Sequence, residues 1–195
     1  MFVKARYLDG DLKESIYQVV KYPFESINAD NQGDVTLSLQ MTKDGKMDSL
    51  TLFGSPHQSL TVSALTAMDA INGTWQPATM DSNPIDKNYL IIFRYGKFLN
   101  SEPPNYTEKI NSLLKREKFA KALKVANSAI IDNRFNAQFF KLRSIIFKNL
   151  DQVETSEEDL NQAMLLDSEI LAVIDVLALG KSRRVISTAT TTTKF

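Results

Sequence analysis

Regular alternation of apolar and polar residues from Asp34 to Thr42 restricts the fold of this 195-residue chain more than any other feature. The apolar members lie at every second position and are Val35, Leu37, Leu39 and Met41. A period of two predicts a strand that buries one face and exposes the other. Asp44-Gly45 is a hairpin signal, and the segment from Met47 to Phe53, with Leu50 and Leu52 on one face, is the predicted second strand.

Further segments complete a small α+β domain around this hairpin. Residues 11–21 predict a helix that Tyr22-Pro23 ends, because the residue before a proline avoids helical backbone angles. Residues 61–72 predict a second helix. Residues 87–95 predict a third strand whose unbroken apolar run indicates cover on both faces, or an outer face that meets a partner. The expected domain spans residues 1–96, with the order α-β-β-α-β and a three-stranded antiparallel sheet.

The apolar period changes from 2 to 3.6 beyond a predicted linker at residues 97–104, which contains Pro103-Pro104. Asn105 with Glu108 resembles a pair that caps the start of a helix. Further helices are predicted at about 118–132 and 136–149, after the capping pair Thr155 and Glu158, and at 168–179. These segments predict an all-α domain at 105–180. The threonine-rich tail, 181–195, has no periodicity and is predicted to be disordered.

Composition excludes several functional classes. The chain has no cysteine, which excludes disulfides, thiol catalysis and thiolate metal sites. Its formal net charge is zero, unlike the basic excess of a nucleic-acid-binding domain. His57 is the only histidine and is predicted to lie in an exposed loop, and Asp44 and Asp48 flank a turn where aspartates are solvated. No cofactor or metal site is predicted, and the chain is expected not to be an enzyme.

Seven short pieces occur in a characteristic order: Tyr22-Pro23, Gly33-Asp34-Val35, Asp44-Gly45, Ser55 to Leu60, Ala64-Leu65, Trp75-Gln76-Pro77 and Tyr89 to Phe93. Together they resemble the C-terminal domain of TonB-type energy transducers over residues 8–95. The resemblance implies a non-catalytic protein-binding role in periplasmic transport, with an outer-membrane receptor segment or another envelope protein as partner. Trp75 is expected to lie in the core of this domain.

Two parts that a working transducer needs, an inner-membrane helix and a proline-rich spacer, are missing from the sequence. The chain is therefore expected to be a fragment, or to retain only the binding half of the activity, and to meet a membrane only through partners or a missing anchor. The resemblance favours a periplasmic location. If Met1 is the true start with no signal upstream, a cytoplasmic location is favoured instead.

Residues 104–168 resemble degenerate tetratricopeptide repeats. Ala122 and Ala129 occupy small-residue positions, and a shift by the repeat length of about 34 residues leads to Ser156 and Ala163. The resemblance implies the alternative function, a scaffolding or oligomerisation protein that binds a partner through its helical repeats.

Two surfaces are predicted to bind a partner. The first is a sheet edge formed by Tyr89, Ile91, Ile92 and Phe93, where resemblance to TonB implies that an extended segment adds as a strand. The alternative is that the N-terminal segment, the helical domain or a second copy covers this edge, and the last case would give a homodimer. The second surface is a helical face formed by Tyr106, Lys109, Lys141 and Arg143, together with Arg116, which suits an acidic peptide or is simply solvated.

Overall fold

The computed structural model describes residues 1–98 and 102–179 and the backbone of residues 184–187. The chain divides into two compact units. One is formed by the segment up to residue 102 together with the segment from residue 170 onward, and the other by residues 103–169. The first unit is α+β and the second is all-α.

The helices of the described residues are α1 (Leu12–Val19), α2 (Phe24–Asn28), α3 (Gln58–Met68, extended by a 3-10 turn at Asp69–Ile71), α4 (Tyr106–Leu114), α5 (Phe119–Asp132), α6 (Ala137–Asn149) and α7 (Val153–Glu169). The strands are β1 (Phe2–Val3), β2 (Arg6–Tyr7), β3 (Gly33–Met41), β4 (Met47–Gly54), β5 (Trp75–Gln76), β6 (Ala78–Met80), β7 (Asn83–Ile85), β8 (Lys87–Phe98), β9 (Ile170–Leu179) and β10 (Arg184–Ser187).

The main sheet has five strands in the order β10-β9-β8-β3-β4, and all neighbours are antiparallel except β8 and β9. Smaller sheets join β1, β6 and β7, and β2 and β5. The three central strands send alternate side chains into one buried core, which also contains residues of α1, α3 and the Trp75 ring. Burial of these side chains is the main source of stability for a unit of this size.

Local patterns predicted the first half of this unit. The hairpin, α1 and α3 occur where they were expected, each within a few residues. Asp11 caps α1 by accepting a hydrogen bond from the Glu14 N–H at 2.9 Å. Gly45 adopts a φ of +73° at the hairpin turn, and an added Cβ there would lie 2.3 Å from the Trp75 carbonyl oxygen, so only glycine fits.

The predicted helix at 168–179 is wrong. Residues 170–179 form strand β9, which pairs with β8 in parallel from Leu90–Ile170 to Phe98–Leu179. Every second residue of β9 is buried in the α+β core, namely Ala172, Ile174, Val176 and Ala178. Leucine and alanine favour helix, but the alternation and the β-branched residues fit an extended strand on the edge of β8.

The sheet therefore has two more strands than the predicted three, and the predicted helical domain at 105–180 ends at Glu169. The predicted linker at 97–104 is also partly wrong, because β8 continues to Phe98. Within the predicted disordered tail, residues 184–187 form β10, which pairs with β9. The rest of that tail lies outside the described residues.

The all-α unit consists of two consecutive helical hairpins, α4 with α5 and α6 with α7. The four small residues spaced by the proposed repeat, Ala122, Ala129, Ser156 and Ala163, are all buried. Small side chains let two helices approach closely, which explains their burial. Asn105 caps α4 as predicted, since its Oδ1 accepts a hydrogen bond from the Glu108 N–H at 3.1 Å. The assignment of these hairpins to tetratricopeptide repeats remains a prediction.

We expect Ile174→Ala to destabilise the α+β unit, because Ile174 is fully buried in the core and lies on the strand that the sequence did not predict. The free energy of unfolding should fall by about 2–5 kcal/mol. Trp75, the only tryptophan, lies in the same core, so its fluorescence during urea unfolding reports on this unit.

Ile131→Ala serves as the control, since Ile131 is exposed on α5 and its loss should change the free energy by at most about 0.5 kcal/mol. Equal unfolding curves for the two variants would show that β9 is not packed into the sheet.

Candidate protein-binding site

The predicted binding edge at Tyr89, Ile91, Ile92 and Phe93 is not an edge. Strand β8, which carries all four residues, lies between β3 and β9, and all four side chains are buried. The unbroken apolar run of this strand thus reflects burial inside the sheet and not an exposed binding surface. The segment that covers the edge is β9, which sequence reasoning had assigned to the helical domain as a helix.

The outer side of β9 is also covered. Strand β10 pairs with residues 176–179. Before that point, the Lys4 ammonium donates to the Ile170 carbonyl, and the Asp175 N–H donates to the Tyr17 hydroxyl at 3.3 Å. Lysine and aromatic side chains placed along a strand in this way hinder the pairing of another chain.

Strand β4 forms the opposite edge of the sheet, and it is open. It pairs with β3 on one side, and among the described residues no strand pairs with its other side. Its sequence has no lysine or proline, the residues that often protect an edge. Three of its apolar side chains are exposed: Leu50 by 37%, Leu52 by 46% and Phe53 by 75%. The strand combines unpaired backbone groups with exposed apolar surface, which suits strand addition.

The register of β4 shows which face its leucines occupy. Leu50 lies opposite Leu39, and Leu52 lies opposite Leu37. Residues directly opposite each other in a sheet point to the same face, so both exposed leucines extend the core-side layer of the sheet to its edge. Register shifts occur on both sides of this regular stretch, and they limit the flat part of the edge to residues 49–52.

A groove of about 230 Å³ runs along this edge, between β4 and α3. Its apolar lining includes Leu39, Met47, Leu50, Leu65 and Met68, and its polar lining includes Asp48, Ser49, Asp69 and Asn72. This volume is below the usual range of about 300–1,000 Å³ for small-molecule sites. The groove is of a size to take one side chain from a bound strand.

Three residues of the predicted helical face contact other residues of the helical unit. Arg143 forms two hydrogen bonds with the buried Asp159 carboxylate, at 2.8 and 2.7 Å, and a third with Asn127 at 2.9 Å. Lys141 pairs with Asp167 at 2.5 Å. The Tyr106 ring packs edge-on against the Phe139 ring, with centroids 5.9 Å apart. These contacts join helices within the unit.

Of the predicted cations on that face, Lys109 and Arg116 are exposed, and no contact of either side chain with a carboxylate occurs in the described part of the chain. Pairing of Lys141 and Arg143 with aspartates neutralises two of the four cations that an acidic peptide would need. Binding of an acidic partner to this face stays a prediction, and the geometry gives it little support.

The side chains that were considered as candidates for catalysis or ligand binding have structural roles. His57 is exposed, as predicted, and caps α3 by accepting a hydrogen bond from the Ser59 N–H at 3.3 Å. Asp86 accepts a hydrogen bond from the Lys43 N–H at 2.7 Å. Trp75 lies in the core, as predicted, and its indole N–H donates to the Ile71 carbonyl at 3.1 Å. Within the described residues, no three metal-ligating side chains come together.

Comparison with protein families adds a separate finding about the α+β unit. Residues 18–96 match the model of the Gram-negative bacterial TonB protein C-terminal. This segment runs from the end of α1 to β8, so it includes the open edge but not β9 or the helical unit. Neither a curated protein nor a solved structure matches the chain significantly.

The family match has functional consequences at a coarse level. The TonB C-terminal family is associated with transport, is not enzymatic and is periplasmic in Gram-negative bacteria. The match indicates a TonB-like protein-interaction role at the cell envelope. Over residues 1–98 and 102–179, no helix is long and apolar enough to cross a membrane.

We expect Arg143→Ala to destabilise the helical unit, because the substitution leaves the Asp159 carboxylate buried without its cation. The cost should be about 3–5 kcal/mol, measured by far-ultraviolet circular dichroism during urea unfolding.

Lys141→Ala is the matched control, since both members of its ion pair are about half exposed and their loss should cost about 1 kcal/mol or less. A similar small effect for both variants would show that the Arg143 network is not structural and would return this cation to the candidate binding surface.

Proposed function

We propose that this protein is a non-catalytic protein-binding module of a TonB-like periplasmic transport system, and that it recognises an extended segment of an outer-membrane protein by β-strand addition. The observation that carries the proposal is the open edge of β4 with its three exposed apolar side chains. Strand addition is thus assigned to β4 and not to β8, where the sequence had placed it.

The backbone of β4 supplies the hydrogen bonds that orient the bound segment in this proposal. An edge of eight residues offers about four residues whose N–H and C=O groups point away from β3. An added strand would satisfy these groups, at a net gain of about 1 kcal/mol for each hydrogen bond. The loss of translational and rotational freedom opposes this gain, so the exposed apolar side chains of β4 must also contribute, and a Kd in the micromolar range is the tightest binding expected.

The type of partner follows from the family match and the shape of the site. TonB-like domains act at the cell envelope, which supports an envelope protein as the partner. An extended, locally unpaired segment is the form of chain that an edge strand accepts, because backbone pairing requires an extended partner. The capping role of His57 and the core position of Trp75 support a non-catalytic function.

A second function is favoured by the surface of α7. Val153, Leu160 and Met164 are exposed and share one side of this helix, since they are spaced by 7 and 4 residues. An apolar stripe on an exposed helix suits contact with another helix. This stripe supports the alternative, a scaffolding or oligomerisation role of the helical unit.

We expect single proline substitutions at residues 49–52 to have two different effects, which depend on whether the N–H group that is lost pairs with β3 or points to the open side of β4. Successive N–H groups alternate between β3 and the open side, so prolines at two alternate positions should break the ladder and destabilise the unit. At the other two positions the proline leaves the ladder intact but removes an outward N–H, which should abolish peptide binding without loss of stability.

The probe is a set of twelve-residue peptides selected from a random phage-displayed library against the full chain, with affinities from fluorescence polarisation and stability from Trp75 fluorescence. The destabilising pair of prolines is the internal control for the register. Undiminished affinity in the two stable proline variants would exclude strand addition at β4.

The alternative function has its own test. If the stripe on α7 joins two copies, light scattering should show a mass that rises with concentration, and Met164→Glu should abolish the rise because it places a charge in the apolar contact. Glu158→Gln, which is exposed on α7 but lies outside the stripe, should leave the association unchanged. A constant monomer mass for the native chain would contradict homo-oligomerisation through α7.

A further inference from the structure

The groove beside β4 adds side-chain selectivity to an edge that otherwise recognises only backbone. Leu50 contributes to the groove from the strand, and Leu65 and Met68 contribute from α3. Leu65 is partly exposed although it belongs to a helix that packs on the core. A strand added to β4 would place alternate side chains over this gap, because successive residues of a strand point to opposite faces.

The polar part of the groove is acidic. Asp48 lies on β4, two residues from Leu50, and Asp69 lies at the end of α3. Both residues are exposed, and among the residues that the structure describes neither carboxylate has an ion-pair partner. No lysine or arginine lines the groove. Two unpaired carboxylates beside an apolar gap favour a partner that brings a cation.

We propose that the β4 edge selects an extended segment with a large aliphatic side chain in the groove and a lysine or arginine two residues away on the same face. This inference rests on strand addition at β4 as the function of the module. The aliphatic residue would contact Leu50 and Leu65, and the cation would lie near Asp48 and Asp69. Opposite charges on facing strands stabilise a pair, whereas like charges destabilise it.

Charge also argues against a second copy of β4 as the occupant. The strand carries Asp48 and no basic residue between Met47 and Gly54. Antiparallel pairing of two copies centred on Thr51 would match Leu50 with Leu52, but it would leave the carboxylates of both grooves without a cation. The negative charge at the edge would double, and like charges in one contact oppose association.

The test uses three ten-residue peptides with the sequence Thr-Val-Thr-X-Thr-Leu-Thr-Val-Thr-Gly, where X is lysine, glutamate or norleucine. Position X and the leucine share one face of the extended peptide. Against the full chain at low salt, the lysine peptide should bind about threefold more tightly than the norleucine peptide, and the glutamate peptide about threefold more weakly. Added salt should reduce both differences, because exposed charges are screened.

Asp69→Lys supplies the decisive variant, since this residue lies outside β4 and its replacement leaves the backbone edge unchanged. Because Asp48 remains, the variant makes the groove electrically neutral, so it should remove the difference in affinity between the lysine and glutamate peptides. Glu157→Lys makes the same charge change on exposed α7 and should leave the order of the native chain unchanged.

The outcomes separate this inference from the proposed function. If the three peptides bind the native chain with equal affinity, and the stable proline variants of β4 abolish this binding, charge selectivity is overturned but strand addition is kept. The same loss of selectivity in Glu157→Lys would show that the effect depends only on net charge, and this would also overturn the selectivity. Peptide binding that survives in the stable proline variants, or a dimer that these variants dissociate, would overturn both proposals.

Discussion

Parallel pairing of β9 with β8 determines which surface of the α+β unit remains available. The pair extends over nine registered positions, from Leu90–Ile170 to Phe98–Leu179. Arg94 strengthens the register on the outer face, since its guanidinium contacts Asp175 at 2.7 Å on β9 and Asp34 at 3.8 Å on β3. On the inner face, Ile174 and Val176 bury their side chains against the core. Without this pairing β8 would be an open, apolar edge.

The consequence for function is that the two sides of the sheet differ. One side ends in a segment of the chain itself, and Lys4 and Tyr17 cover part of its backbone. The other side ends in β4, whose backbone is open and whose leucines continue the core layer to the surface. An edge that is covered in this way is protected from pairing with another chain, whereas an open edge is not. The two outer edges of this sheet therefore differ in what they can bind.

Local sequence patterns predicted those parts of the fold that depend on near neighbours. Examples are the alternation of β3, the turn at Gly45 and the caps at Asp11 and Asn105, each of which depends only on residues nearby in the sequence. Strand β9 was not predicted, because it is apolar at every position except Asp175 and lacks the apolar-polar alternation of β3. Its leucine and alanine content favours helix, and its partner strand lies about 80 residues earlier in the chain, so no local signal could decide between the two periods.

The candidate site shows the same limit. Whether a strand is central or at an edge depends on the order of the sheet, and the sequence of a strand reports only how much of it is buried. The four predicted residues of the run from Tyr89 to Phe93 are buried, but the position of their strand between β3 and β9 followed only from the full topology. Leu52 and Phe53, which are exposed, could have indicated the β4 surface from the sequence. An apolar residue on the outer strand of a hairpin is not always covered by another strand. The pairing of Arg143 with Asp159 across two helices was not predicted, because it depends on tertiary contacts.

Hydrogen exchange of the full chain, with and without a selected peptide, tests the location of the binding edge most directly. The account predicts that peptide increases protection of the amides at residues 47–54, while β8 and β9 stay as protected as in the free protein. Increased exchange at residues 170–179, with no gain at β4, would mean that the partner displaces β9 from β8, and this result would contradict the account.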